Sequence, residues 1–112
     1  MILRDQQGRL LFFCGEYLGR VTNNVAEYRA MIRGLEEAKR RGWKAIKVFT
    51  DSELLARQVN GLYRVLNPNL KALYERVLGL LSGFSHWEVT HIPREENREA
   101  DRLAKRAAQG KL

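Results

Sequence analysis

Three carboxylates stand where chemistry could use them: Glu27 in TNNVAEYRAMIRGLEEA, Asp51 in AIKVFTDS and Asp101 in NREAD. Asp51 follows directly on a β-branched and aromatic run that leads into a helix, and ligands of open α/β sheets gather outside the carboxyl ends of such strands. Glu27 and Asp101 each fall in the expected first turn of a helix. Glu27 lies on the stripe it shares with Met31, Gly34 and Ala38, small or apolar neighbours that should face an interior. Separations of 24 and 50 residues mean that only folding could bring the three together. Each acid also has an ordinary role open to it. Glu27 could close a capping box with Asn24, Asp51 could cap the next helix, and Asp101 could pair with Arg98 or Lys105. Taken together they weigh differently, because a basic chain that collects acids where its strands end has mutual repulsion there unless a cation sits among them. Clustered carboxylates are the hard oxygen ligands that Mg²⁺ or Mn²⁺ takes.

The whole chain sets the background for that cluster. Twenty Lys and Arg against thirteen Asp and Glu give +7 and a sequence pI near 10.0, a balance that favours a polyanionic partner such as nucleic acid, with a merely solvated basic surface as the open alternative. At 112 residues and 45% hydrophobic, a single domain over 1–112 with one core is expected. Its one cysteine, Cys14, excludes an internal disulfide and fits a reducing, cytoplasmic setting. No apolar stretch spans a bilayer and no signal-peptide pattern opens the chain.

The elements that must position the acids alternate between strand and helix. MILR, DQQG and RLLFFCGEYLG read as a hairpin whose turn ends in Gly8. A helix follows with Asn24 as N-cap, Lys39 to Arg41 in its last turn and Gly42 as its stop. AIKVFT, residues 45–50, is a strand, and Asp51 and Ser52 offer cap chemistry for a short helix ending near Asn60 and Gly61. Asn67 and Pro68 open another helix, with Leu70, Leu73, Tyr74, Val77, Leu78 and Leu81 at helical period and Gly83 as its end. HWEVTHI alternates as a strand. After PREEN a last helix is expected from Arg98 to about Ala108.

In this order, TNNVAEYRAMIRGLE, VFTDSELLARQVNG, YRVLNPNLK and HIPREENREADRLAKRA resemble type 1 ribonuclease H of the short bacterial and archaeal kind. The resemblance covers nearly the whole chain. It implies an α/β ribonuclease H-like fold, a mixed sheet with flanking helices, and cleavage of the RNA strand of RNA–DNA hybrids with paired divalent ions, Mg²⁺ or Mn²⁺, roughly 4 Å apart. By motif it makes Glu27, Asp51 and Asp101 three of the family's four metal-site acids. It assigns His91 to the family's flexible-loop histidine, which assists protonation or product release, against the alternative of a strand-end side chain without a role. Thr22 is set near a DNA phosphate and Asn23 and Asn24 at the minor groove. Basic residues such as Arg57, Arg64, Lys71 and Arg94 are the expected phosphate contacts.

The chain departs from the family in one respect. Members of the family begin with a strand that carries Asp-Gly and lies at the centre of a five-stranded sheet, and this sequence has no such segment. Asp5 is no substitute, since it sits in the DQQG turn. The expectation is a metal site short of one acid, with weak or absent activity, and a hairpin and Ala45 strand left with unpaired backbone groups unless something covers them. Three ways of covering them stay open: a longer reading frame in which Met1 is internal, a homodimer or strand exchange, and direct pairing of the hairpin with the Ala45 strand. Two functional classes stay open as well, a metal-dependent endoribonuclease and a non-catalytic module binding hybrid or double-stranded RNA. A resolvase or transposase core fits the TNN and NREAD contexts less well.

Overall fold

The computed structural model describes residues 1–12 and 23–93. Two short strands, β1 (Ile2–Arg4) and β2 (Leu10–Phe12), form the expected hairpin. Asp5 builds its turn: Oδ1 accepts the amides of Gln7 (3.0 Å) and Arg9 (2.7 Å), and Oδ2 accepts the Arg9 guanidinium. Gly8 takes a φ of 83°, a left-handed conformation that costs glycine nothing. Asp5 is thus turn scaffolding.

β1 pairs antiparallel with β3 (Ala45–Thr50), setting Ile2 against Phe49, Leu3 against Val48 and Arg4 against Lys47. Of the three ways left open for covering the Ala45 strand, the structure shows direct pairing with the hairpin, β1 lying against Lys47 to Phe49 of β3. β3 in turn pairs in parallel with β4 (His86–His91), from Ala45 opposite His86 to Thr50 opposite His91. The order of the mixed sheet is β2-β1-β3-β4.

Three helices accompany these strands. α1 (Asn23–Arg40) buries Tyr28, Met31, Gly34, Leu35 and Ala38 and packs against α3. It ends in a Schellman arrangement, with the Trp43 amide bonded to the Ala38 carbonyl, the Gly42 amide to that of Lys39, and Gly42 at a φ of 78°. α1 begins one residue before the expected cap, so Asn24 lies inside the helix and Glu27 falls in its second turn. A capping box between them is thereby removed. α2 (Glu53–Val59) is capped by Ser52, whose side chain accepts the Leu55 amide at 3.2 Å, and not by Asp51. α3 (Pro68–Leu81) is capped by Asn67, as its sequence leads one to expect. Leu80 joins Leu70, Val77 and Leu81 in the core, while Leu73, Tyr74 and Leu78 are half-buried.

One apolar cluster joins Leu3 of β1, Ile46 and Val48 of β3, Val89 of β4, Met31 and Leu35 of α1, and Val77 and Leu81 of α3. Thr50 continues the inward alternation of Ile46 and Val48, and it is fully buried. No helix among the described residues is long and apolar enough to cross a membrane. Cys14 and the expected helix from Arg98 to Ala108 lie outside the described residues.

Candidate active site at the carboxyl ends of β3 and β4

Thr50 is the last residue of β3, and its hydroxyl joins two functional segments. It accepts the amide of Ser52 at 3.0 Å and donates to Oε2 of Glu27 at 3.4 Å. The Glu27 carboxylate therefore stands at the end of β3, from which the chain passes directly to Asp51. Glu27 and Asp51 are both half-buried.

His91 completes this end of the sheet from the other strand. It stands opposite Thr50 in the parallel register, and paired residues of neighbouring strands project to the same face. The Ile92 amide extends the pairing by bonding the Thr50 carbonyl at 2.9 Å. The His91 side chain is exposed. His91 is the last residue of β4, within the strand expected over HWEVTHI.

The residue next to Glu27 anchors α1 to α2. Tyr28 is fully buried, and its hydroxyl donates to Oε1 of Gln58 at 2.7 Å, while Nε2 of Gln58 donates to the Arg64 carbonyl at 3.3 Å. Burial, reinforced by Tyr74 nearby, pushes the Tyr28 phenol well above its ordinary range and keeps it a donor. At the far end of α2, Nδ2 of Asn60 donates to the Val89 carbonyl at 3.0 Å. The helix that follows Asp51 is thus held to α1 on one side and to β4 on the other.

Arg57 donates to Glu53 at 2.8 Å and lies over the Tyr63 ring at 5.2 Å. Arg64, Lys71 and Tyr63 line an open groove of about 590 Å³ between α2 and α3, with Leu62 and Leu66 exposed beside them. A second groove, lined by Arg4, Lys47, His86 and Glu88, lies at the opposite end of β3 and β4, away from Thr50. Asn23 opens α1 and Asn24 follows it, half-buried. Thr22, Arg94 and Asp101 lie outside the described residues.

The donor chemistry of Glu27 and Asp51, carboxylate oxygens at one sheet end, suits a hard divalent cation. Among the described residues no three His, Cys, Asp or Glu side chains are grouped to hold an ion, so these two acids form the described part of the candidate site. Sequence reasoning missed Thr50 and the Tyr28–Gln58 pair. A signal for Thr50 was present, because the alternation of Ile46 and Val48 sets a polar residue at the next inward position, directly before Asp51.

Residues 1–107 match the family model described as reverse transcriptase-like. The chain is a ribonuclease H-like domain of that family. It is 39% identical over 106 residues to ribonuclease HI of Halobacterium salinarum, a match covering 95% of this chain and 53% of that protein. This ribonuclease H-like domain thus spans about half the length of that curated relative. Its fold is similar to the N-terminal RNase H domain of Rv2228c from Mycobacterium tuberculosis, with a TM-score of 0.76 and 36% identity over 91% of this chain and 79% of that one. It is similar also to LC11-RNase H1, solved in complex with an RNA/DNA hybrid, with a TM-score of 0.72 and 36% identity over 91% and 78% of the two chains.

Proposed function

We propose that this domain hydrolyses the RNA strand of RNA–DNA hybrids and that Mg²⁺ or Mn²⁺ is its cofactor. The observation that carries the reading is the Glu27–Thr50 contact, which sets one carboxylate at the strand end that leads into Asp51, in a chain of this family. Glu27 and Asp51, together with Asp101, would hold the ions. When bound, divalent ions supply activation of the attacking water and stabilisation of the departing 3′-oxygen. His91, exposed at the end of β4, assists protonation or product release. Asn23 and Asn24 at the start of α1, with Thr22, Arg57 and Arg94, lay the hybrid against the acids. Arg57 keeps donors to spare beyond Glu53, since a guanidinium carries five.

The sequence carries three of the four acids that the resemblance implies, and the activity expected of the chain as written is weak or lost. Selection of RNA over DNA rests on contacts to the 2′-hydroxyls. A reducing, cytoplasmic setting accompanies this reading.

The test offers a labelled RNA strand to the protein as a hybrid, as a duplex RNA and as a single strand, with Mg²⁺ or Mn²⁺ and with EDTA. Slow, metal-dependent internal cuts in the hybrid alone are expected. Retention of hybrid without any cleavage, weakening steeply as salt rises, would replace this reading with that of a non-catalytic binding module.

A further inference from the structure

We propose that Thr50 is a positioning residue for Glu27, an inference that rests on the reading of Glu27 as a metal-site acid. The argument begins with the protons of one hydroxyl. Thr50 Oγ1 has a single hydrogen to give, and it already accepts the Ser52 amide at 3.0 Å. Its hydrogen is therefore free to point at Oε2 of Glu27, 3.4 Å away. Thr50 is fully buried while Glu27 is half-buried, so the hydroxyl is the fixed member of the pair and the carboxylate the adjustable one.

The contact is longer than a relaxed hydroxyl–carboxylate hydrogen bond. Its effect is accordingly on direction more than on stability: it turns Oε2 of Glu27 toward the end of β3. Because the same hydroxyl holds the amide of the residue after Asp51, it also fixes the path by which β3 delivers Asp51. One buried side chain thus sets Glu27 of α1 and the segment after β3 that carries Asp51 in relation to each other. Groups that orient metal ligands in this way change metal affinity or activity by about 10–100-fold when removed.

The test compares wild type with Thr50→Val, which keeps the shape and removes the hydroxyl, and Thr50→Ser, which keeps the hydroxyl. Mn²⁺ affinity is titrated by electron paramagnetic resonance, and the ¹³C signal of the Glu27 carboxylate is recorded in the metal-free protein at neutral pH. Thermal melts confirm that each variant is folded. In Thr50→Val, Mn²⁺ binding is expected to weaken about tenfold or more and the Glu27 signal to move, with both restored in Thr50→Ser. Folded Thr50→Val that matches wild type in both readouts overturns the inference. Failure of the underlying reading looks different: Asp51→Asn would then leave Mn²⁺ binding unchanged, whatever the Thr50 variants do, and the inference would fall with it.

Discussion

Thr50 and His91 face each other as the last paired residues of two parallel strands, and the Thr50 hydroxyl reaches across to Glu27 of α1. This places an imidazole and a carboxylate on the same end of the sheet, from residues 64 positions apart in the chain. If His91 serves proton exchange there, His91→Ala lowers the single-turnover cleavage rate by at least about tenfold. Because the side chain is exposed, stability changes by no more than about 0.5 kcal/mol. Rapid-quench kinetics and a thermal melt on the same preparation check both statements.

Leu3 carries the closure of the sheet. It is fully buried and pairs with Val48 where β1 meets β3. Leu3→Ala is expected to cost about 2–5 kcal/mol, and amide exchange should rise along β1 and the facing side of β3. Urea denaturation and hydrogen exchange measure these effects.

Tyr28 and Gln58 hold α1 to α2 through a buried hydrogen bond of 2.7 Å. Tyr28→Phe leaves the Gln58 carbonyl oxygen without its donor and is expected to cost about 1–3 kcal/mol. Adding Gln58→Leu removes both partners of that bond but leaves the Arg64 carbonyl without its Nε2 donor, so the loss should not be recovered. Denaturant titrations of the single and double variants test this.

Asp5 gives the fold an acid-sensitive turn. Burial raises its carboxyl pKa, but hydrogen bonds from the Arg9 side chain and from the Arg9 and Gln7 amides, with the Arg9 charge, outweigh burial and hold it below the ordinary carboxylate value. A depressed folded pKa contributes stability that is fully present above the unfolded value, about 3.9, and is lost as pH falls through the folded value. Stability should therefore drop on acidification below about pH 4. Asp5→Asn should be less stable at neutral pH and show a shallower acid slope in melts from pH 7 downward.

Much of this architecture was legible in the residues. The β-branched run gave β3 its bounds, Asn67 with Pro68 marked the start of α3, Gly42 marked the stop of α1, and the alternation of HWEVTH marked β4. Local chemistry writes such boundaries into neighbouring residues. Pairing is different: that β1 would lie against β3 depends on groups more than 40 residues apart, and no local pattern ranks that partner above strand exchange. The same reason hid Tyr28–Gln58 and Thr50–Glu27, contacts across 30 and 23 residues. Asp51 and Ser52 both offered cap chemistry for α2 with nearly equal propensity, and only the backbone showed Ser52 in the role. Asp51 is thus not the cap of α2.

The most direct measurement is single-turnover cleavage of a 5′-labelled RNA strand in an RNA–DNA hybrid by wild type and by Asp51→Asn, each with Mg²⁺ or Mn²⁺. Wild type should cut within the RNA strand, and the variant should be slower by at least the ~100-fold seen for the most severe outer-partner losses, with its fold intact by circular dichroism. Equal cutting by the two proteins would contradict the assignment of this sheet end as the active site.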